Sequence, residues 1–429
     1  MRVLLIHQNF PGQFRRLGQM WSKQPGWDVI GLGHKKAPGL PDVRWIPYDM
    51  ARPPSSSQHP YMRQMEDAVL RGQATARVML KLRKQGWKPD AILAHPGWGE
   101  TLYAKDVFPD AKLIHFCEWY YGTPGSDVGF DPEFPASFDT QAKLRTWNAL
   151  HNLNLEHCDV GVSPTHWQRS RHPAVYQDKI QVIHEGIDTE LLRPDPTAHL
   201  TLPNGHTVKA GDPVITYVAR NLEPYRGFHS FMRALERVQK AHKTCHAVIV
   251  GGDDVSYGQK PQDAANWREK MLQEVTLDAS RTHFLGKVPY DVYRKVLQVS
   301  AAHVYLTYPF VLSWSMLEAM ASGCLIVGSD TAPVREVIEH GRNGLLVNFF
   351  DPEAIAEEVV MALEHPGDVR QIGANAWQAA NDQYGLMRGE SMYRKIIGLC
   401  GDEFCKQPNI FLTDGRLISV NVNQRGALK

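Results

Sequence analysis

Cysteine is scarce, long apolar runs are missing, and neither sign of charge dominates. The six cysteines, Cys117, Cys158, Cys245, Cys324, Cys400 and Cys405, are scattered over 429 residues with no C-x-x-C pair. That excludes a disulfide framework and points to reduced thiols in a cytoplasmic protein. No run of about 18 uncharged apolar residues occurs, so no transmembrane helix is expected. The opening Met1-Arg2-Val3-Leu4-Leu5-Ile6 is too short for a signal peptide and soon meets Pro11 and Gly12. Lys+Arg is 47 against Asp+Glu 46, a net charge of +1. This balance gives no electrostatic reason to expect nucleic acid as the main partner. Gly at 34 and Pro at 28 are too few for a fibrous or low-complexity chain. No G-x-G-x-x-G follows the first apolar strand, which disfavours a dehydrogenase. No D-x-D is placed to hold a metal diphosphate; Asp253-Asp254 follows two glycines and reads as a turn.

What is present is enough apolar side chain, 43% of residues, for more than one core. Short apolar runs alternate with helical patterns. Val3 to Ile6, Val29 to Leu32, Ala91 to Ala94, Lys112 to Phe116, Val160 to Ser163 and Ile180 to Ile183 read as strands. Residues 13–23 and 62–85 read as helices. Residues 193–213 are rich in Pro, Gly and polar residues and read as a junction. The alternation then restarts with Val214 to Val218, the helix Phe228 to Ala241, and Ala247 to Gly252. Val304 to Leu306, the helix Ser313 to Ser322, Leu325 to Val327 and the helix Pro352 to Leu363 complete it. This predicts two α/β domains with parallel sheets, over 1–195 and 212–385, and a C-terminal helix and tail over 386–429. Ligands of such sheets lie beyond the carboxyl ends of the strands, so a cleft between two of them is where chemistry belongs.

Three features of the second half point to a phosphate. Arg220 and Arg226 flank a Pro turn directly after a strand, and paired guanidinium forks suit a phosphate. Ser313 precedes a helical run whose free amides, near Trp314 and Ser315, form an anion site. Glu318 lies about one and a half turns into that helix among apolar neighbours, where a carboxylate can accept both ribose hydroxyls.

The string Met316-Leu317-Glu318-Ala319-Met320-Ala321-Ser322-Gly323, with Asp330 to Glu336 and Gly341 to Val347, resembles the C-terminal domain of family 4 glycosyltransferases of the GT-B fold. Asp159 to Ser163 and Ile183 to Asp188 are similar to the family's motifs before the junction. The loop Gln8-Asn9-Phe10-Pro11-Gly12 takes the place of its Gly-rich loop. The resemblance implies two Rossmann-like domains facing a cleft. It implies transfer of a sugar from a nucleotide-sugar donor (UDP-, GDP- or dTDP-sugar) to a hydroxyl, with retention and with neither permanent cofactor nor metal. Arg220 and Arg226 match the diphosphate-binding pair, Glu318 the ribose carboxylate, Gly12 the donor loop, and Trp314 and Ser315 the amides at the distal phosphate. His115 best matches the histidine that faces the donor sugar; His95 is a second candidate. In one respect the chain departs. The family has a second glutamate with seven residues between it and the position of Glu318, and here Phe310 stands there.

Cys117-Glu118-Trp119-Tyr120-Tyr121 places a carboxylate beside aromatic rings after a strand, which suits an acceptor, with Glu118 orienting its hydroxyl. Arg71, Arg77, Lys81, Arg83 and Lys84 make the helix over 62–85 basic enough to consider peripheral membrane contact. The missing glutamate also fits a non-catalytic nucleotide-sugar scaffold, and the donor features fit a nucleotide-sugar hydrolase or epimerase.

Overall fold

The computed structural model describes residues 1–122 and 125–398, with the backbone of 409–413 and 416–420. The first lobe is built on Arg2–Ile6 (β1), Asp28–His34 (β2), Arg44–Tyr48 (β3), Ala91–Ala94 (β4), Lys112–Phe116 (β5), Val160–Ser163 (β6) and Ile180–Val182 (β7). All pair in parallel, in the order β3-β2-β1-β4-β5-β6-β7. Side chains of β1 alternate between two covered faces. Val3 and Leu5 pack with Phe14, Leu17 and Trp21, and Leu4 and Ile6 pack with Met79 and Leu82. Burial on both faces is why these strands read as unbroken apolar runs.

The junction is not a slack linker. His199–Thr201 (β8) and Thr207–Lys209 (β9) form an antiparallel hairpin, and its Leu200 and Val208 are buried against Val214, Val248 and Val296 of the second lobe. That lobe is built on Val214–Asn221 (β10), His246–Gly252 (β11), Thr282–Gly286 (β12), Ala302–Tyr305 (β13), Ile326–Ser329 (β14) and Leu345–Val347 (β15). They are again parallel, in the order β12-β11-β10-β13-β14-β15. The helix Phe228–Ala241 has the expected bounds and buries Phe231, Leu235 and Val238. Several elements escaped the sequence reading, among them the hairpin above and two in the first lobe. These are β3, an edge strand that tolerates Pro47 because one side of its ladder is free, and the twenty-residue helix Phe138–His157.

The chain crosses back at its end. The helix Leu386–Ile396 lays Tyr393 and Ile396 on the first lobe beside Val3 and Leu5. Trp21 Nε1 donates to its Glu390 (3.0 Å). The expected tail over 401–429 lies largely outside the described residues; within it Asn409–Thr413 (β16) pairs antiparallel with Arg416–Val420 (β17). Among the described residues no helix is long and apolar enough to cross a membrane. The helix Arg63–Lys84 is less freely basic than its sequence suggests, since Arg71 pairs with Asp67 (2.7 Å) and Arg83 donates to the Val107 carbonyl (3.0 Å). The four described cysteines are buried and unpaired.

Gly389 tests the docking of the last helix. A Cβ there would lie 2.6 Å from the His184 carbonyl oxygen and 2.8 Å from the Glu185 carbonyl carbon. Helix propensity favours Gly389→Ala by about 1 kcal/mol, but contact with fixed backbone costs roughly 1–3 kcal/mol. The variant is expected to be less stable than wild type in urea unfolding.

Candidate active site in the cleft

In each sheet the strand order reverses once, between β1 and β4 and between β10 and β13, and such switch points open crevices at the carboxyl ends. The residues that leave those ends carry the chemistry: His7 after β1, His95 after β4, Glu118 after β5, Arg220 in the last turn of β10 and Thr307 after β13.

On the first lobe His95 Nδ1 accepts from the Gly97 amide (3.1 Å), so the proton sits on Nε2, which faces Glu118 Oε2 at 3.1 Å. Gln13 Nε2 donates to the other oxygen of Glu118 (2.9 Å). Burial opposes charge on Glu118, but the His95 and Gln13 hydrogen bonds outweigh it and hold the carboxyl below its ordinary range. The His95 ring stacks on Trp98 with centroids 4.5 Å apart. His7 stands edge-on to His95, 5.3 Å away. Burial first, then His95, with a contribution from Arg220 across the cleft, pushes His7 down to about 3, so it is neutral. Gly12 has φ +49°, and a Cβ there would lie 2.4 Å from His7 Nε2; the loop after β1 closes on the histidine only because this residue is glycine.

On the second lobe Arg226 is buried, and its guanidinium donates to Thr307 Oγ1 (2.8 Å) and the Val311 carbonyl (3.0 Å). Arg220 is exposed to the cleft. Neither arginine forms an ion pair with a described carboxylate. Glu223, between them in sequence, is diverted: its carboxylate accepts from the amides of Ser256, Tyr257 and Gly258 at 2.9, 3.2 and 2.9 Å. Glu318 accepts from Tyr290 (3.0 Å) and Tyr293 (2.6 Å), and burial raises its pKa against these bonds. Ser313 caps the helix Trp314–Ala321 through the Ser315 amide (3.3 Å), and the cap holds that amide end of the helix in place. The Trp314 ring crosses the cleft, and its Nε1 donates to Glu185 (2.6 Å).

Further contacts close the lobes on each other. Glu336 accepts from the amides of His166 and Trp167 at 2.6 Å each, at the start of the helix His166–Ser170. Trp167 Nε1 donates to the Phe310 carbonyl (3.2 Å). From the first lobe the stretch 125–136 reaches over the second: Tyr308 donates to Asp131 (2.8 Å), Arg233 grips Glu133, and Phe130 packs on Tyr308 and Phe349.

The structure thus brings Arg220, Arg226, Glu318, Trp314 and Ser315 to one side of the cleft and Gly12, His95 and Glu118 to the other. It does not bring His115 with them. His115 lies inside β5, not after it, and is 1% exposed on the face that carries the helix Phe138–His157. Glu118, two residues past the strand end, takes the cleft-facing place. Phe310 also lies at the cleft, ringed by Trp119 (4.9 Å), Tyr257 (5.0 Å) and Tyr225 (5.7 Å). Tyr120 bonds Asn152 at the surface, whereas Tyr121 faces inward. Gln13, Glu185 and Asp131 were missed as site residues, because nothing local to them announces partners more than 90 positions away.

Comparison with known proteins decides the family. The profile described as Glycosyl transferase family 4 group matches residues 25–192, and that described as Glycosyl transferases group 1 matches residues 212–365. The chain belongs to the family 4, group 1 glycosyltransferases. Its reaction is transfer of a sugar from a nucleotide-sugar donor. It is 23% identical to the alpha-maltose-1-phosphate synthase of Mycolicibacterium smegmatis, over 66% of this chain and 79% of that protein. It is 26% identical to the D-rhamnosyltransferase WbpZ of Pseudomonas aeruginosa, over 54% and 57%. Among solved structures, Anabaena HepE in complex with UDP-glucose superposes with a TM-score of 0.66 at 15% identity, covering 93% of this chain and 100% of that one. Sucrose-phosphate synthase of Thermosynechococcus elongatus gives 0.66 at 17%, with the same coverage. These likenesses show the GT-B fold.

One carboxyl in this glycosyltransferase reports on the closed cleft. Glu185 is 4% exposed, and burial raises it from 4.5 to about 7 against its bond from Trp314. The folded chain therefore holds this proton where the unfolded chain has released it, so stability falls as pH rises from about 4.5 to 7. Glu185→Gln keeps an acceptor for Trp314 and removes that proton. Urea midpoints measured from about pH 4 to 8 should fall for wild type relative to the variant, by on the order of 3 kcal/mol in all.

Proposed function

We propose that the enzyme transfers a hexosyl or deoxyhexosyl group from a nucleoside diphosphate sugar to a hydroxyl of a glycan, a lipid-linked saccharide or a small molecule. The observation that carries the assignment of the donor site is the pair Arg220 and Arg226, without carboxylate partners, at the carboxyl end of β10. A diphosphate placed there meets both guanidinium groups and the amides at the start of the helix Trp314–Ala321, and Glu318 accepts from the ribose hydroxyls. HepE is seen with UDP-glucose and with UDP, which makes a uridine nucleotide the first donor to try.

The acceptor approaches from the first lobe. Its hydroxyl oxygen bonds to the anomeric carbon on the face that the leaving group vacates, as the bond from that carbon to the diphosphate breaks. The electron pair leaves with the nucleoside diphosphate, and the hydroxyl proton passes to the ionised Glu118, which His95 and Gln13 orient. Negative charge grows on the leaving group, so Arg220, Arg226 and the helix amides stabilise the transition state more than the ground state. Configuration at the anomeric carbon is retained, as the family resemblance implies.

Phe310 sets the sugar. No carboxylate stands at that position to accept from ring hydroxyls, and the aromatic cluster around it favours a less hydroxylated face. A D-rhamnosyltransferase among the relatives agrees with a deoxy sugar.

Two measurements test this reading. Arg220 has no hydrogen-bond or ion-pair partner among the described residues, so Arg220→Ala should fold normally and lose about 2–4 kcal/mol of transition-state stabilisation, read as kcat/KM; an unchanged rate removes the arginine from the site. In a panel of nucleotide sugars, a deoxyhexose donor should turn over faster than the corresponding fully hydroxylated hexose. Equal rates would refute the role given to Phe310.

A further inference from the structure

Where the stretch 125–136 crosses to the second lobe, it meets His229 and Arg233, one turn apart on the helix Phe228–Ala241. His229 Nε2 lies 3.0 Å from Asp131 Oδ2 and 4.0 Å from Glu133 Oε1. One ligand atom from each of the three residues falls within 4.8 Å of the other two. Asp131 and His229 are buried, and Glu133 is open to solvent.

Charge does not balance at this place. Arg233 donates to both oxygens of Glu133 (2.5 and 2.9 Å) and to both oxygens of Glu274 (2.5 and 3.2 Å). Among the described residues no other lysine or arginine pairs with Asp131, Glu133 or Glu274. Three carboxylates thus share one guanidinium, and even a protonated His229 would leave negative charge in excess. A buried carboxylate in that position calls for a further cation.

The direction of the imidazole says where the cation sits. The His229 ring is wedged between Phe134 and Phe349, centroids 5.7 and 5.8 Å away. Neither of its nitrogens forms a hydrogen bond among the described residues, although Asp131 is 3.0 Å from one of them. A hydrogen-bonded pair would put the N–H on the line between the two atoms, and this ring does not aim along it. An ion that both groups hold at about 2.0–2.2 Å lies to the side of that line. Each lone pair then points at the ion and not at the other group. The carboxylates are already oriented. Tyr308 donates to Asp131 Oδ2 (2.8 Å), the Glu133 amide to Asp131 Oδ1 (2.9 Å), and Arg233 to Glu133, the outer support that ligating carboxylates have. One imidazole nitrogen with two carboxylate oxygens suits zinc or a neighbouring first-row dication, whereas magnesium and calcium favour oxygen alone.

We propose that Asp131, Glu133 and His229 bind one divalent transition-metal ion of the zinc class, which clamps the crossing stretch of the first lobe to the second. Arg233 keeps Glu274 as its partner, and water completes the coordination on the open side of Glu133. The ion is structural and takes no part in sugar transfer. Its neighbour Tyr308 takes a main-chain bond from its own amide to the Tyr225 carbonyl (3.1 Å), so the clamp steadies the turn between Arg220 and Arg226.

The test uses the full chain, prepared without a histidine tag and stripped with EDTA. Zn²⁺ titrated into it should bind at this site with one ion per chain. The melting temperature should rise by roughly 3–8 °C at a hundredfold excess over Kd, while Mg²⁺ and Ca²⁺ should leave it unchanged. Chymotryptic cleavage after Phe130 should slow when Zn²⁺ is bound. His229→Gln should weaken Zn²⁺ binding roughly a hundredfold and remove the thermal shift. Should that variant fail to fold, Glu133→Gln, at the solvent-open position, should weaken binding about tenfold. The site is overturned if Zn²⁺ neither binds nor shifts melting, if Mg²⁺ or Ca²⁺ binds as well as Zn²⁺, or if a folded variant binds Zn²⁺ as wild type does. That last result would move the ion to another imidazole pair, such as the stacked His246 and His283. Binding with unchanged cleavage after Phe130 overturns the clamp.

Discussion

Two guanidinium groups held at the end of one strand, with no carboxylate to neutralise them, are the constraint around which this cleft is organised. A buried arginine is costly unless its charge is answered. Arg226 is answered only by neutral oxygens, those of Thr307, Tyr305 and the Val311 carbonyl, which satisfy its N–H groups and leave its charge unpaired. The nearest carboxylate in sequence, Glu223, is occupied by three backbone amides of the loop after β11. The positive field therefore persists into the cleft. On the first lobe His7, facing Arg220, is held uncharged by burial and its neighbours. The diphosphate proposed above gains charge as its bond breaks and is the kind of anion that such a field serves.

Much of the scaffold was legible in the chain because parallel strands buried on both faces carry a strong signal. Val3 to Ile6 and Ala247 to Val250 are apolar throughout, and each ends where a glycine or polar loop begins. The signal fails where burial is one-sided. β3 contains Arg44 and Pro47 and lies at a sheet edge; β8 and β9 bury a single residue each, Leu200 and Val208. The helix Phe138–His157 buries Asn148, His151 and Asn154 along with Trp147 and Leu150, so its inward face does not look apolar.

The site divides in the same way. Arg220, Arg226 and Glu318 follow strands or sit early in a helix, and their placement is a local matter. The His95–Glu118–Gln13 group is assembled from three loops, and no spacing encodes it. The case of His115 and Glu118 turns on where β5 stops. Side chains alternate along a strand, so His115 turns towards the helix layer, while Glu118, beyond the last paired residue, is free to turn into the cleft.

The contacts between the lobes explain how a departure at one position is accommodated. Where the family pattern has a carboxylate, Phe310 presents its ring to Trp119 and its carbonyl to Trp167, both from the first lobe. Trp314, at the start of the helix that follows, reaches Glu185. A glutamate at position 310 would be surrounded by three aromatic rings and the charge of Arg226, whose guanidinium carbon lies 5.9 Å from the Phe310 ring. Phenylalanine leaves the field intact and turns the position into an apolar joint between the lobes. The carboxylate that the cleft does hold is Glu118, on the opposite lobe, fixed there by His95 and Gln13.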